Sequence, residues 1–206
     1  MFSRLRISCG LATGFDMEVS MSIVHKGTVT IETVRLVLRR FEVEDAKDMY
    51  NNWAGDPEVC KFLSWGPHRD MEASRLRIVN WVRNYGSKNF YQWAIELKQK
   101  QMPIGSISVE ITNDGSFTCE VGYCVGKAYW NKGIMTEALR AVMHFLFYEV
   151  GYQVILAKHD TLNTASGKVM QKAGMSFYRT EYNVGVRRDG SYYDCAVYRK
   201  ERDKEE

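Results

Sequence analysis

Lys132 and Gly133 stand at the mouth of an apolar helical pattern, and that combination can hold a phosphate. The stretch from Glu120 to Tyr148 reads EVGYCVGKAYWNKGIMTEALRAVMHFLFY. Its first part alternates Val121, Tyr123 and Val125 against Gly122, Cys124 and Gly126, the period of a strand. Gly126 opens a short loop carrying Lys127, Lys132 and Gly133. After Thr136, residues Leu139, Val142, Met143, Leu146 and Phe147 fall on one helical stripe. The first N–H groups of a helix have no partner within it and lie at its positive end. An anion can dock there, with Lys132 adding charge. An ordinary strand–loop–helix crossover would carry the same glycines, so spacing alone leaves both readings open. Two standard nucleotide motifs are absent: a glycine-lysine-serine/threonine loop, and a glycine triplet following a strand.

The run GYCVGKAYWNKGIMTEAL closely resembles the acetyl-CoA loop of the GNAT N-acetyltransferases, in particular the RimJ/RimL branch. That branch commonly reads glycine-tyrosine, then tyrosine-tryptophan-glycine-lysine-glycine, then threonine-glutamate-alanine. Tyr129, Trp130, Lys132, Gly133, Thr136, Glu137 and Ala138 fall in place. Asn131 replaces a usual glycine, a mild change because Asn tolerates a left-handed backbone. Met135 replaces a small residue and would bring bulk beside a pyrophosphate. The resemblance implies acetyl-CoA as cosubstrate, with Tyr123, Val125, Trp130, Asn131, Lys132, Gly133, Ile134, Met135 and Thr136 around it. It also implies that the backbone N–H near Val125 faces the thioester oxygen, a kind of contact that supplies several kcal/mol in other acyl transfers.

The same resemblance suggests roles for three further residues. Glu120, two residues before Gly122, would take the amine proton, often through water; the plain alternative is a surface glutamate at a strand edge. Asn163 has a structural use as a helix N-cap, and the resemblance adds a contact to the pantetheine amides. Many GNAT enzymes place a tyrosine seven residues beyond this asparagine as proton donor to the thiolate. Met170 stands there and cannot donate. The RimJ/RimL branch keeps a serine three residues after the asparagine, here Ser166, whose alternative role is bonding to its own helix backbone. Trp65, in the rigid loop Ser64 to His68, is a candidate wall of the acceptor pocket, because a loop residue of that size needs something to cover. Tyr192 and Tyr193 are expected to face the same acceptor, and His68 reads as a solvated loop histidine.

The elements that must position these residues follow from periodicity. A half-buried strand spans Thr33 to Arg39, with Val34, Leu36 and Leu38 inward. A helix opened by Glu44 and Asp45 ends at Gly55, and Asp56-Pro57 caps a second short one through Leu63. A third helix, from about Met71 to Tyr85, would bury Leu76, Val79 and Val82. Strands at Phe90–Lys98 and Pro103–Ile111 and a turn at Asn113–Gly115 lead into the central stretch. Beyond it, Gln153–Lys158 reads as a strand suited to burial on both faces, and Asn163 caps a helix through Ala173. Two last strands, near Phe177–Asn183 and Tyr192–Arg199, flank a turn at Asp189-Gly190. The order is mixed α/β and matches the GNAT fold: a mostly antiparallel central sheet, splayed at the acetyl-CoA site and flanked by helices. Residues 30–206 form that domain, and 1–29 read as an irregular N-terminal extension or short docked arm with little that could pack.

Composition narrows the function classes. The 206 residues are 45% hydrophobic and 26% charged, an ordinary soluble balance. A net charge of +3 is too mild to argue for nucleic acid. Five cysteines without a Cys-x-x-Cys pair suit free thiols in a reducing cytoplasm, and no metal-ligand spacing occurs. No stretch approaches the ~20 apolar residues of a membrane span, and the start does not read as a targeting segment. Within these bounds, the resemblance implies a cytoplasmic acetyl-CoA-dependent N-acetyltransferase, acting by direct transfer to a primary amine, either a protein N-terminus or a small molecule. The alternatives are a non-catalytic acyl-CoA-binding module and, more remotely, a dimerising scaffold. The sequence is compatible with a homodimer but does not specify one.

Overall fold

The computed structural model describes residues 22–187 and 190–203. Residues 1–21, Asp189 of the expected turn and the last three residues of the charged tail lie outside the described residues. Eight strands make one sheet: β1 (Ile31–Glu32), β2 (Leu36–Arg39), β3 (Gln92–Leu97), β4 (Met102–Asn113), β5 (Thr118–Val125), β6 (Val154–Asp160), β7 (Ser176–Val186) and β8 (Tyr192–Glu201). Their spatial order is β1-β2-β3-β4-β5-β6-β8-β7, and every neighbouring pair is antiparallel except β5 with β6. The mostly antiparallel, helix-flanked α/β sheet expected from the sequence is therefore present.

Period-two alternation sends side chains to two cores. On one face Trp93, Ile107, Val121 and Ile155 pack beneath α4 (Ile134–Phe145) and α5 (Thr164–Lys172), which contribute Leu139, Val142 and Met170. On the other face Ala94 and Cys124 meet Phe41, Met49, Trp53 and Ile78. Met49 closes α1 (Ala46–Met49), Trp53 lies in the π-helical turn Tyr50–Ala54 that prolongs it, the short α2 (Pro57–Cys60) follows, and Ile78 belongs to α3 (Met71–Asn84). Both faces of the central strands are thus covered, which explains why β5 has few polar positions.

Four expectations need correction. The strand read over Thr33–Arg39 is split by a turn: Leu36 N–H donates to Thr33 Oγ1 at 3.0 Å, and Val34 is 92% exposed instead of facing inward. In α3 the buried stripe is Ser74, Ile78 and Tyr85, while Leu76 and Val82 point outward. Tyr85 decides that face, because its hydroxyl takes the Phe41 N–H at 2.8 Å and donates to the Gln92 carbonyl at 2.9 Å. Strand β6 buries only Ile155, Ala157 and Asp160, and its other side chains are half-buried. Finally, residues 22–29 form no regular element yet do pack. Val24 N–H donates to Val150 O at 2.9 Å, and buried Thr28 accepts Gln92 N–H and donates to the Phe90 carbonyl.

Candidate active site between the splayed strands

Strands β5 and β6 pair only over Thr118–Glu120 and Val154–Leu156. Beyond Glu120 they part, while β5 continues to pair with β4 as far as Val125 and β6 with β8 as far as Asp160. The result is a wedge-shaped gap in the middle of the sheet. Gly126 N–H donates to Ile104 O at 2.9 Å across the β4–β5 ladder. Alternation along an antiparallel ladder then turns the backbone groups of Val125 and Tyr123 toward the gap. A strand edge of this kind can hold an extended ligand by main-chain hydrogen bonds.

The gap runs into the loop Gly126–Gly133. Asn131 adopts φ 59° and Gly133 φ 71°, so the left-handed conformation that Asn was expected to tolerate is used. Trp130 Nε1 donates to Val125 O at 2.8 Å and folds the loop back on its strand. No side chain caps α4 at Gly133, and the first helical bond is Glu137 N–H to Gly133 O at 3.0 Å. The N–H groups of Ile134, Met135 and Thr136 precede that bond and remain at the positive helix end. Ile134 and Met135 send their side chains into the core, 3% and 5% exposed. The bulk of Met135 is therefore turned away from any phosphate at the loop. Glu137 is the anchor: it accepts from Thr33 Oγ1 at 2.6 Å, Arg35 N–H at 3.0 Å and Arg35 Nε at 2.6 Å. Arg35 also donates to Lys132 O at 2.9 Å, so the β1–β2 turn fixes the loop.

Across the gap, Asn163 caps α5 by accepting Ser166 N–H at 3.4 Å. Ser166 Oγ lies 3.0 Å from the Tyr123 hydroxyl, which also donates to the Ser166 carbonyl at 3.1 Å. Burial pushes the Tyr123 phenol well above its ordinary pKa, with the Ser166 contact opposing, so the phenol stays protonated. Met170 is 1% exposed and belongs to the core.

The opposite face of β5 opens on a second cleft, with a volume of about 370 Å³. Glu120, Gly122 and Cys124 line its floor, and Trp53, Trp65 and Trp81 are among its aromatic walls. Glu120 is paired with Lys158 Nζ at 3.1 Å. At the open end Asp160, 5% exposed, binds Arg187 through two oxygens at 2.9 and 2.7 Å. Arg187 in turn lies over the Tyr193 ring at 5.5 Å. Trp65 and Tyr193 both line the cleft, but Tyr192 does not. It is 66% exposed, because adjacent residues of β8 point to opposite sides. His68 is half-buried rather than solvated: its Nδ1 meets Ser74 Oγ at 2.7 Å, and burial lowers its pKa, aided by Arg77.

Sequence reasoning missed Glu110, Lys158, Asp160 and Arg187. Glu110 is the unpaired residue of a β-bulge: the register runs Val109 to Val121 and then Ile111 to Glu120. A bulge leaves little trace in composition. For Lys158 and Asp160 a signal existed, since a charged residue interrupts an apolar strand that should have been dry on both faces.

Among the described residues there is no group of three or more His, Cys, Asp or Glu arranged to hold a metal, and no helix is long and apolar enough to cross a membrane. The acetyltransferase (GNAT) domain model matches residues 35–176. The uncharacterised N-acetyltransferase p20 of Bacillus licheniformis is 30% identical over 153 residues, covering 71% of this chain and 84% of the relative. The [ribosomal protein uS5]-alanine N-acetyltransferase of Escherichia coli is 29% identical over 154 residues, covering 71% and 77%. A GNAT acetyltransferase structure from Bacillus anthracis superposes with a TM-score of 0.73 at 25% identity, covering 84% and 98%. A ribosomal L7/L12 α-N-protein acetyltransferase, solved with coenzyme A, superposes at 0.75 and 16% identity, covering 84% and 98%, a likeness of fold alone.

Proposed function

Since the chain belongs to the GNAT acetyltransferase family and is an acetyltransferase, we propose that it moves the acetyl group of acetyl-CoA onto a primary amine within a ternary complex. The wedge between β5 and β6 carries this reading, because it joins a phosphate-compatible helix end on one face to an aromatic, carboxylate-bearing cleft on the other. The residues present fit the cosubstrate. The N–H groups at Ile134–Thr136, with Lys132, Gly133, Asn131 and Trp130 shaping the loop, would receive its pyrophosphate. The turned-out edge at Tyr123 and Val125, with Asn163 across the gap, would hold the pantetheine arm and the thioester oxygen.

In this reading Glu120, which lines the cleft, acts on the amine side of the reaction, and Ser166, 3.0 Å from the Tyr123 hydroxyl, acts on the thiol side. The acceptor best suited to the cleft is a protein N-terminal α-amine. Such an amine has a pKa near ~8 against ~10.4 for a lysine, so it needs only modest help in losing a proton. The alanine acetyltransferase among the relatives supports this choice, as do the Trp65 and Tyr193 walls, which suit a peptide. A reducing cytoplasm suits its free, buried Cys119, Cys124 and Cys195.

A thiol-release screen with acetyl-CoA tests the reading, using peptides beginning with Ala, Ser, Thr or Met alongside small primary amines. Release dependent on an N-terminal peptide is expected. Acetyl-CoA binding without release to any amine would identify a binding module instead.

A further inference from the structure

The acceptor cleft contains a second carboxylate whose setting differs from that of Glu120. Glu110 is the extra residue of the β4 bulge, opposite Val121 and Glu120 on β5. Bulges next to active sites re-aim a side chain, and here the carboxyl folds back over the bare Cα of Gly122. A Cβ at position 122 would collide with Glu110 Oε1, so the glycine makes room for that carboxyl. The residue as a whole is exposed at the cleft rim, and it makes no hydrogen bond or ion pair among the described residues. Glu120 contrasts in each respect: its side chain is 14% exposed and it is held by Lys158.

We propose that Glu110 is a further catalytic residue, the group that takes the proton from the acceptor amine, while Glu120, fixed by Lys158, supplies the standing negative charge that orients it. The proposal rests on the acetyltransferase reading above. Two carboxylates side by side with unlike partners divide into an anion and a proton acceptor. The groups facing Glu110 agree with that division. Withdrawal of the carboxyl from water raises its pKa, Glu120 on β5 raises it further, and Lys158 on β6 opposes. The Cys124 thiol on β5 lies beneath, and burial keeps it protonated, with a pKa pushed up to about 11. Elsewhere along the cleft Asp160 is neutralised by Arg187, and His68 is held neutral by burial and Arg77.

The protons balance as follows. The acceptor enters as an ammonium and gives one proton to the Glu110 carboxylate, which returns it to solvent at the rim. The freed lone pair forms the C–N bond at the thioester carbonyl carbon, and the C–S bond breaks with its electron pair on sulfur. The second N–H proton, acidified by C–N bond formation, ends on that sulfur by way of the Ser166 side.

Steady-state thiol release is to be measured with a peptide beginning with alanine, from pH 6 to 9.5, for the wild type, Glu110→Gln and Glu120→Gln. Glu110→Gln should lose kcat by about 10²-fold at pH 6 to 7 and recover most of it above pH 9, where the amine is already neutral, with KM for acetyl-CoA unchanged. Glu120→Gln should instead raise KM for the peptide and keep the wild-type shape of the pH profile. A Glu110→Gln enzyme with wild-type kcat at pH 6 overturns the inference alone, as does a loss that is the same at every pH. A wild type that releases thiol with neither this peptide nor any amine of the screen overturns the functional reading, and the inference with it.

Discussion

Tyr123 Oη stands 3.0 Å from Ser166 Oγ, joining the splayed strand to the first turn of α5 across the gap. The half-buried phenol donates to the Ser166 carbonyl, so the serine hydroxyl has a protein partner that orients it. With Met170 in the core, Ser166 is the hydroxyl proposed to protonate the leaving thiolate. Ser166→Ala should lower kcat by about 10²-fold with acetyl-CoA affinity nearly intact, and Tyr123→Phe should fall between mutant and wild type. Undiminished kcat in Ser166→Ala, under conditions where chemistry limits turnover, would assign the proton to water.

The helix end at Gly133 depends on φ 71°. Proline is fixed near −65° and would pull the loop away from the first N–H groups of α4. Gly133→Pro should abolish acetyl-CoA binding in calorimetry while its far-ultraviolet circular dichroism stays native. Wild-type affinity in this variant would remove the loop from the cosubstrate site.

Position in the cleft separates the aromatic residues. Trp65→Ala and Tyr193→Ala should raise KM for the amine at least several-fold and leave that for acetyl-CoA unchanged. Tyr192→Ala, on the outer side of β8, should change neither. Equal effects of Tyr192 and Tyr193 would mean that the hairpin is not read through one face.

The raised pKa of Glu110 has a signature in stability. A carboxyl whose folded pKa exceeds its unfolded value near ~4.3 favours folding below that value and loses the benefit as pH rises through the folded pKa. Gln cannot ionise, so Glu110→Gln should melt higher than wild type at pH 7, with the gap closing by pH 4. A variant that melts lower at pH 7 would show that the carboxylate stabilises the fold instead.

Buried Asp160 pairs with half-buried Arg187 and ties the β7–β8 hairpin to the end of β6. Removing one member leaves the other charge uncompensated, at a cost of about 3–5 kcal/mol. Asp160→Ala should therefore lower stability by that amount in urea unfolding and raise KM for the amine. A loss below ~1 kcal/mol would mark the pair as solvated.

Much of this site was legible because it is local. The strand–loop–helix run from Val121 to Phe147, the left-handed Asn131 and the Asn163 cap depend on neighbours a few residues away, and those interactions leave residue-type signatures. What was missed depends on distant partners. Helix α3 turned its Ser74–Ile78–Tyr85 face inward because Tyr85 bonds to Phe41 and Gln92, while periodicity favoured Leu76 and Val82. Glu110 became visible only once the register of β4 against β5 was known, and the pairing of Lys158 with Glu120 only once β6 was seen beside β5.

On β5, Tyr123 and Val125 face the gap while Glu120, Gly122 and Cys124 floor the cleft, so the proposed donor and acceptor surfaces alternate along one strand. This arrangement gives the protein separable heritable units. On the proposed reading, changes in the Trp65 loop, the bulge and the last hairpin redirect the enzyme to a new amine without disturbing the positions assigned to the cosubstrate. A lineage built on this chain can diversify in what it modifies while inheriting one donor chemistry intact.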